Sequence, residues 1–212
     1  MTRSPSRIFA ATLFCSAALL FCVQPMVGRL LLPVLGGSPQ VWSTCLVFFQ
    51  AALLAGYGLA HLLATRVPPR RQPALALVCA VLPIASLPIA LPVAAAAPST
   101  SGTGPIFWTL TVLLTAVGPA FVALAVNGPL LQRWYAWSGA DDAHDPYFLY
   151  AASNAGSFVG LLGYPLLIEP NLGTAAQAHW WTVGYGALIA LLVASAWAAF
   201  GRKNAQNMAH EP

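Results

Sequence analysis

Polar and apolar positions in this chain are segregated over long intervals. Six apolar stretches, at about 8–32, 40–63, 73–97, 106–126, 147–168 and 179–200, are separated by short polar intervals that hold nearly all the charged residues. Roughly 20 apolar residues suffice to cross a hydrocarbon core of about 30 Å as a helix. The pattern therefore predicts an all-α integral membrane protein with six transmembrane helices. Residues 1–7 form the N-terminus and 201–212 a tail.

Local signals refine these elements. In the first stretch, Gln24-Pro25 and Gly28-Arg29 interrupt the second half, and Pro33 with the Gly36-Gly37-Ser38-Pro39 turn ends it. Ser38 is suited to cap the next helix, with Pro39 as its first residue. Pro83, Pro88 and Pro92 predict a kinked or partly unwound third segment. The fourth contains Gly118-Pro119, and Asn127-Gly128-Pro129 is expected to break the chain after it. The following LLQRWYAW places Leu130, Leu131, Trp134 and Trp137 at helical spacing, which predicts a short interfacial amphipathic helix. Asp145 reads as an N-cap with Pro146 first in the fifth helix. Trp180 and Trp181 read as interfacial anchors of the sixth.

Composition strengthens the membrane assignment. Hydrophobic residues make up 58% of the chain and charged residues 7%, against about 45–50% and about 25% in soluble proteins. Six crossings put both termini on one side. That side holds Arg3, Arg7, Arg66, Arg70, Arg71, Arg133, Arg202 and Lys203, against only Arg29 opposite. The positive-inside rule then predicts cytoplasmic termini in a bacterial inner membrane. A five-helix arrangement, in which the third segment fails to cross, would spoil that agreement. The N-terminus imitates a signal peptide, but Val23-Gln24-Pro25 is a poor cleavage site, so an uncleaved first helix is expected. No basic run tracks a phosphate backbone, and nucleic acid is not an expected partner.

Candidate chemistry is sparse. Gln24, Arg29, Gln50, His61, Asn127 and Asn154 are the polar side chains within apolar spans. They read either as a solute route or as interhelical hydrogen bonds. Arg29 either snorkels to the surface or faces a cavity. Small residues recur every four positions as Ala52, Gly56 and Ala60 and as Ala152, Gly156 and Gly160, which suits close helix packing within the monomer or between proteins. Cys15, Cys22, Cys45 and Cys79 form no CxxC pair and read as buried thiols. The group Asp141, Asp142, His144 and Asp145 has no metal-ligand spacing, so no metal or cofactor is expected. No phosphate loop, catalytic triad or HExxH pattern occurs.

Two runs of residues point to a family. One is Gln24-Pro25-Met26-Val27-Gly28-Arg29-Leu30-Leu31-Leu32-Pro33, continuing to Trp42, Gln50, Gly56-Tyr57 and Ala60-His61. The other begins at Gly128-Pro129-Leu130-Leu131-Gln132-Arg133-Trp134. It continues through Asp145-Pro146-Tyr147, Asn154-Ala155-Gly156 and Tyr164-Pro165 to Ile168-Glu169-Pro170. Together they resemble the N-terminal membrane region of bacterial fused transporter-like/spermidine synthase-like proteins. The resemblance implies a bundle like half of a major-facilitator-type transporter. In that family a soluble synthase-like domain follows the membrane helices, whereas twelve residues follow Phe200 here, so no catalytic site carries over. The expected role is a non-enzymatic membrane protein that binds or moves a small, polyamine-related solute. The alternatives are an anchor for a separately encoded synthase-like subunit and a truncated fragment of such a fused protein. Expected partners are the lipid bilayer and either that subunit or a homo-oligomer.

Overall fold

The computed structural model describes residues 4–90, 104–138, 140, 142–143 and 145–209, with side chains placed for 5–200 of these. The described residues are all-helical, without a strand. In chain order the helices are α1 (Ser4–Leu35), α2 (Pro39–Arg66), α3 (Gln72–Val81), α4 (Gly104–Ala116), α5 (Gly118–Trp137), α6 (Tyr147–Gly163) and α7 (Thr174–Ala209). A π turn at Tyr164–Ile168 and a last turn at Glu169–Asn171 prolong α6.

Among the described residues four helices are long and apolar enough to cross a membrane: Pro5–Leu35, Pro39–Arg66, Tyr147–Asn171 and Thr174–Phe200. A fifth crossing exists if α4 and α5, bent by 61°, count as one. Leu46, Val47, Leu54, Leu161, Leu166, Leu167 and Trp197 point outward and are each at least half exposed. Such a surface suits lipid and not water.

The third stretch is shorter as a helix than the apolar pattern predicts. α3 stops at Val81, a 3-10 turn runs from Leu82 to Ser86, and the chain is irregular from Leu87 to 90. Pro83 and Pro88 lack the N–H that would continue the ladder. The rest of the expected span, with Pro92, lies outside the described residues.

Two apolar clusters divide the bundle along its length. One gathers Phe9, Leu63, Ala76, Trp134, Leu149 and Ala199, at the start of α1 and α6 and the end of α2, α5 and α7. The other gathers Leu31, Val41, Leu113, Tyr164 and Trp181 from the opposite ends. Both ends of the described chain therefore lie at the same end of the bundle. Arg7, Arg66, Arg70, Arg71 and Arg133 lie there too, and Arg29 and Glu169 at the other. The broken third segment joins the two levels, since Ala76 and Ala80 belong to the first cluster and Ile89, 2% exposed, to the second.

Other expectations shift for identifiable reasons. α1 passes through Pro25 and Pro33. It ends where Gly36, at φ 71°, donates its N–H to the Leu32 carbonyl at 2.9 Å. The left-handed backbone there suits glycine. α5 likewise continues through Asn127-Gly128-Pro129, and the break falls earlier, at Val117 just before Gly118-Pro119. The expected interfacial helix is thus the last two turns of α5. Leu130, Leu131, Trp134 and Tyr135 are at most 1% exposed, packed against protein and not headgroups. Ser38 caps α2 as expected, accepting from the Val41 N–H at 3.4 Å with Pro39 following. Asp145 does not cap α6, which starts at Tyr147 after Pro146 with no side-chain cap. α7 begins at Thr174, before the expected 179. Trp180 is exposed, but Trp181 is buried and its indole N–H donates to the Leu19 carbonyl at 3.0 Å.

α1 is the central helix, packed on α5, α6 and α7, while α2 packs on α5. Glycines permit the closest crossings. A Cβ at Gly156 would collide with the Phe14 backbone and one at Gly160 with the Ala18 backbone, both on α1. A Cβ at Gly56 would collide with Ala125 on α5.

Candidate functional site: a polar groove between four helices

α1, α2, α5 and α6 enclose a groove of about 330 Å3 on one side of the bundle. Its polar lining comes from Ser16 and Gln24 on α1, Gln50 and Tyr57 on α2, and Ser153, Asn154 and Ser157 on α6. Helical spacing explains the convergence. Ser16 and Gln24 are eight residues apart and Gln50 and Tyr57 seven, so each pair shares a face. Ser153 and Ser157 are one turn apart, flanking Asn154. The rest of the wall is apolar or small, including Leu20, Phe21, Leu124, Ala125 and Gly128.

These groups sit near the middle of their helices, between the two clusters. Ser16 is fixed: its hydroxyl donates to the Leu124 carbonyl at 3.2 Å and accepts from the Asn127 amide at 3.2 Å. Gln24, Gln50, Tyr57 and Asn154 have no side-chain hydrogen bond to the described residues. Amides and a phenol left unpaired at hydrocarbon depth are costly, which favours a polar occupant. Two prolines add acceptors. Pro25 cannot donate to the Phe21 carbonyl, nor Pro129 to the Ala125 carbonyl, and both Phe21 and Ala125 line the groove.

Of the polar residues picked out from sequence, Gln24, Gln50 and Asn154 meet in this groove. Asn127, 3% exposed, stands behind it and orients Ser16. Arg29 is elsewhere. Its guanidinium meets the Glu169 carboxylate at 2.7 Å and the Glu169 carbonyl at 3.2 Å, tying α1 to the turn after α6. It is a paired charge, 37% exposed, toward the end of the bundle. His61 is exposed near the end of α2 and does not line the groove. The small residues lie at helix contacts: Ala52 and Ala60 are buried, Gly56 faces α5, and Gly156 and Gly160 face α1, with Ala152 half-buried.

Sequence reasoning missed Ser16, Tyr57, Ser153 and Ser157. The signal was the eight-residue spacing of Ser16 to Gln24 and the seven-residue spacing of Gln50 to Tyr57, and the one-turn spacing of Ser153 and Ser157 about Asn154. In the polar interval before α6, Asp142 accepts a hydrogen bond from buried Tyr135. Asp141 and His144 lie outside the described residues. Among the described residues no cluster of three metal-ligating side chains forms.

A larger cavity of about 570 Å3 lies between α2, α3, α4 and α5, lined by Phe48, Ala55, Leu59, Leu82, Leu114 and Val122. It is almost wholly apolar and offers a polar solute nothing. Comparison with family models, curated proteins and solved structures finds no match for this chain.

Proposed function

We propose that the chain is a non-enzymatic, multi-pass membrane protein that binds a small polar solute in this groove and carries it across the bilayer. The observation that carries the reading is the convergence of unpaired Gln24, Gln50, Tyr57 and Asn154 from three helices on one mid-depth groove. No lining residue is charged, so a polycation would find no counter-charge there. A neutral solute with several hydroxyl or amide groups fits the lining better than a polyamine.

The same reading takes the protein as six-pass. The third pass is the broken segment from Gln72 through Ile89, which spans both apolar clusters through Ala76, Ala80 and Ile89. An even number of passes agrees with both chain ends lying at one end of the bundle. The arginines gathered there favour that end as cytoplasmic.

The test is uptake by purified protein in liposomes, with labelled mannitol, glutamine and spermidine as probes. Protein-dependent uptake of a neutral probe is expected, with spermidine excluded. Gln24→Leu and Gln50→Leu should each reduce that uptake at least about tenfold, the order expected for one lost hydrogen bond to a buried polar group. Absence of protein-dependent uptake for all three probes would overturn the reading.

A further inference from the structure

The groove has a floor and two lips but no fourth wall. Its floor is α1 and α5, its lips are α2 and α6, and the outer side is open. The lips are where the membrane-facing surface is polar. Gln50, Tyr57 and His61 run along exposed α2, and Tyr150 and Asn154 along exposed α6. Tyr57 is 49% and Tyr150 50% exposed. None of these side chains hydrogen-bonds to the described residues. Over the middle turns of these helices the other exposed side chains are apolar, among them Leu46, Val47, Leu54, Phe158 and Leu161, which lipid covers at no cost. Lipid tails cannot satisfy an amide at that depth.

We propose that a second copy of this chain seats on these lips, so that two grooves close into one chamber. The surface is complementary to itself. α2 runs toward the end of the bundle that holds Phe9 and Ala199, and α6 runs away from it. A two-fold axis along the membrane normal therefore sets α2 of one copy beside α6 of its partner, twice over. In that arrangement Tyr57 comes to within about one helical turn of the height of the partner's Asn154. A phenol and an amide each donate and accept, so every contact is met by its symmetry mate. Gly58 and Ala151, both exposed on the lips, leave room for the backbones to approach.

The second copy also completes the site. One groove of about 330 Å3 is open to the bilayer, and two facing grooves give roughly 660 Å3, within the ~300–1,000 Å3 of ordinary ligand cavities. The chamber's use rests on the solute reading above, but the contact between copies does not.

The experiment uses the full chain in lipid nanodiscs and in native membranes. Mass measurement should give two chains per particle. A photo-cross-linking phenylalanine analogue at position 57 or 154 should capture a differently tagged second copy. The same analogue at 107 or 197, on exposed faces of α4 and α7, should not. Tyr57→Leu combined with Asn154→Leu should weaken self-association about tenfold to three-hundredfold with helix content unchanged. A one-chain mass overturns the proposal, as does capture at 57 and 154 of lipid or a foreign protein only. Solute uptake by a one-chain particle would sink this proposal alone. A two-chain particle that moves no solute would sink the solute reading alone.

Discussion

Gly160→Ala probes the close crossing of α6 on α1. A Cβ there would lie 3.0 Å from the Ala18 Cα and 3.1 Å from its carbonyl carbon, with the carbonyl oxygen nearer still. Gly156 is as tight, 3.0 Å from the Phe14 Cα and 2.9 Å from its carbonyl carbon. Backbone atoms cannot swing aside as a side-chain end can, so α6 must move off α1 by a few tenths of an ångström or more. Overpacking of this kind costs about 1–3 kcal/mol. Alanine returns up to about 1 kcal/mol by removing glycine from a helix interior. Gly160→Ala should therefore lose about 1–2 kcal/mol, and Gly156→Ala with Gly160→Ala roughly 2–4, less if the first displacement also relieves the second. Gly186→Ala, in the interior of α7, is the matched control, because nothing lies within 4 Å of its Cβ position. It should be neutral or gain up to about 1 kcal/mol. Reversible unfolding in mixed micelles, followed by tryptophan fluorescence, measures all three variants. If Gly160→Ala proves as stable as Gly186→Ala, α1 and α6 are not packed as described.

Other predictions follow from the polar contacts and the topology. Arg29→Gln should leave solute uptake near the parent value, since Arg29 pairs with Glu169 outside the groove. The pair is about two-fifths exposed, so a double-mutant cycle with Glu169→Gln should give coupling of about 1 kcal/mol or less. A tenfold loss of uptake in Arg29→Gln would place the arginine in the site after all. Gln72 is fully buried, accepts from the Trp134 indole at 3.1 Å and donates to the Val67 carbonyl at 3.0 Å. Gln72→Leu should therefore cost about 1–3 kcal/mol. Adding Trp134→Phe should cost less than the sum of the two single changes, and strict additivity would deny the contact. Reporters fused ahead of Arg7 and after Phe200 should read the same side of the membrane, and one inserted in the 98–104 interval the other. Opposite readings for the two ends would exclude six passes.

The pattern of apolar stretches located the long helices because lipid rewards one composition along the whole span. It was less informative where protein replaces lipid. Leu130, Trp134 and their neighbours have the spacing of an interfacial helix, and that spacing is the same whether headgroups or α3 and α7 cover the face. The Asn127-Gly128-Pro129 run looked like a helix end, yet one missing hydrogen bond is tolerated when neighbouring helices clamp the backbone. At Val117, Gly118-Pro119 does break the helix axis. Ser38 and Pro39 act locally and were legible in full. The site was half legible. Gln24, Gln50 and Asn154 stand out as amides among apolar residues, whereas Ser16, Ser153 and Ser157 pass for ordinary helix serines until three helices bring them together. Arg29 was conspicuous by its charge, but its partner Glu169 is 140 residues away, and only the fold shows the pairing.

The central claim is that a polar, solute-accessible groove exists at mid-depth in the bundle, and thiol accessibility tests it most directly. Single cysteines replace Gln24, Gln50 and Ser157 in the groove and Phe158, Leu161 and Trp197 on the lipid-facing surface, in a background where the four native cysteines are alanine. A small, charged thiol reagent is then applied to the protein in membranes. Labelling is expected at 24, 50 and 157, slowed by the transported solute, and none at 158, 161 or 197. Protection of all six positions, or equal labelling of both sets, would contradict it.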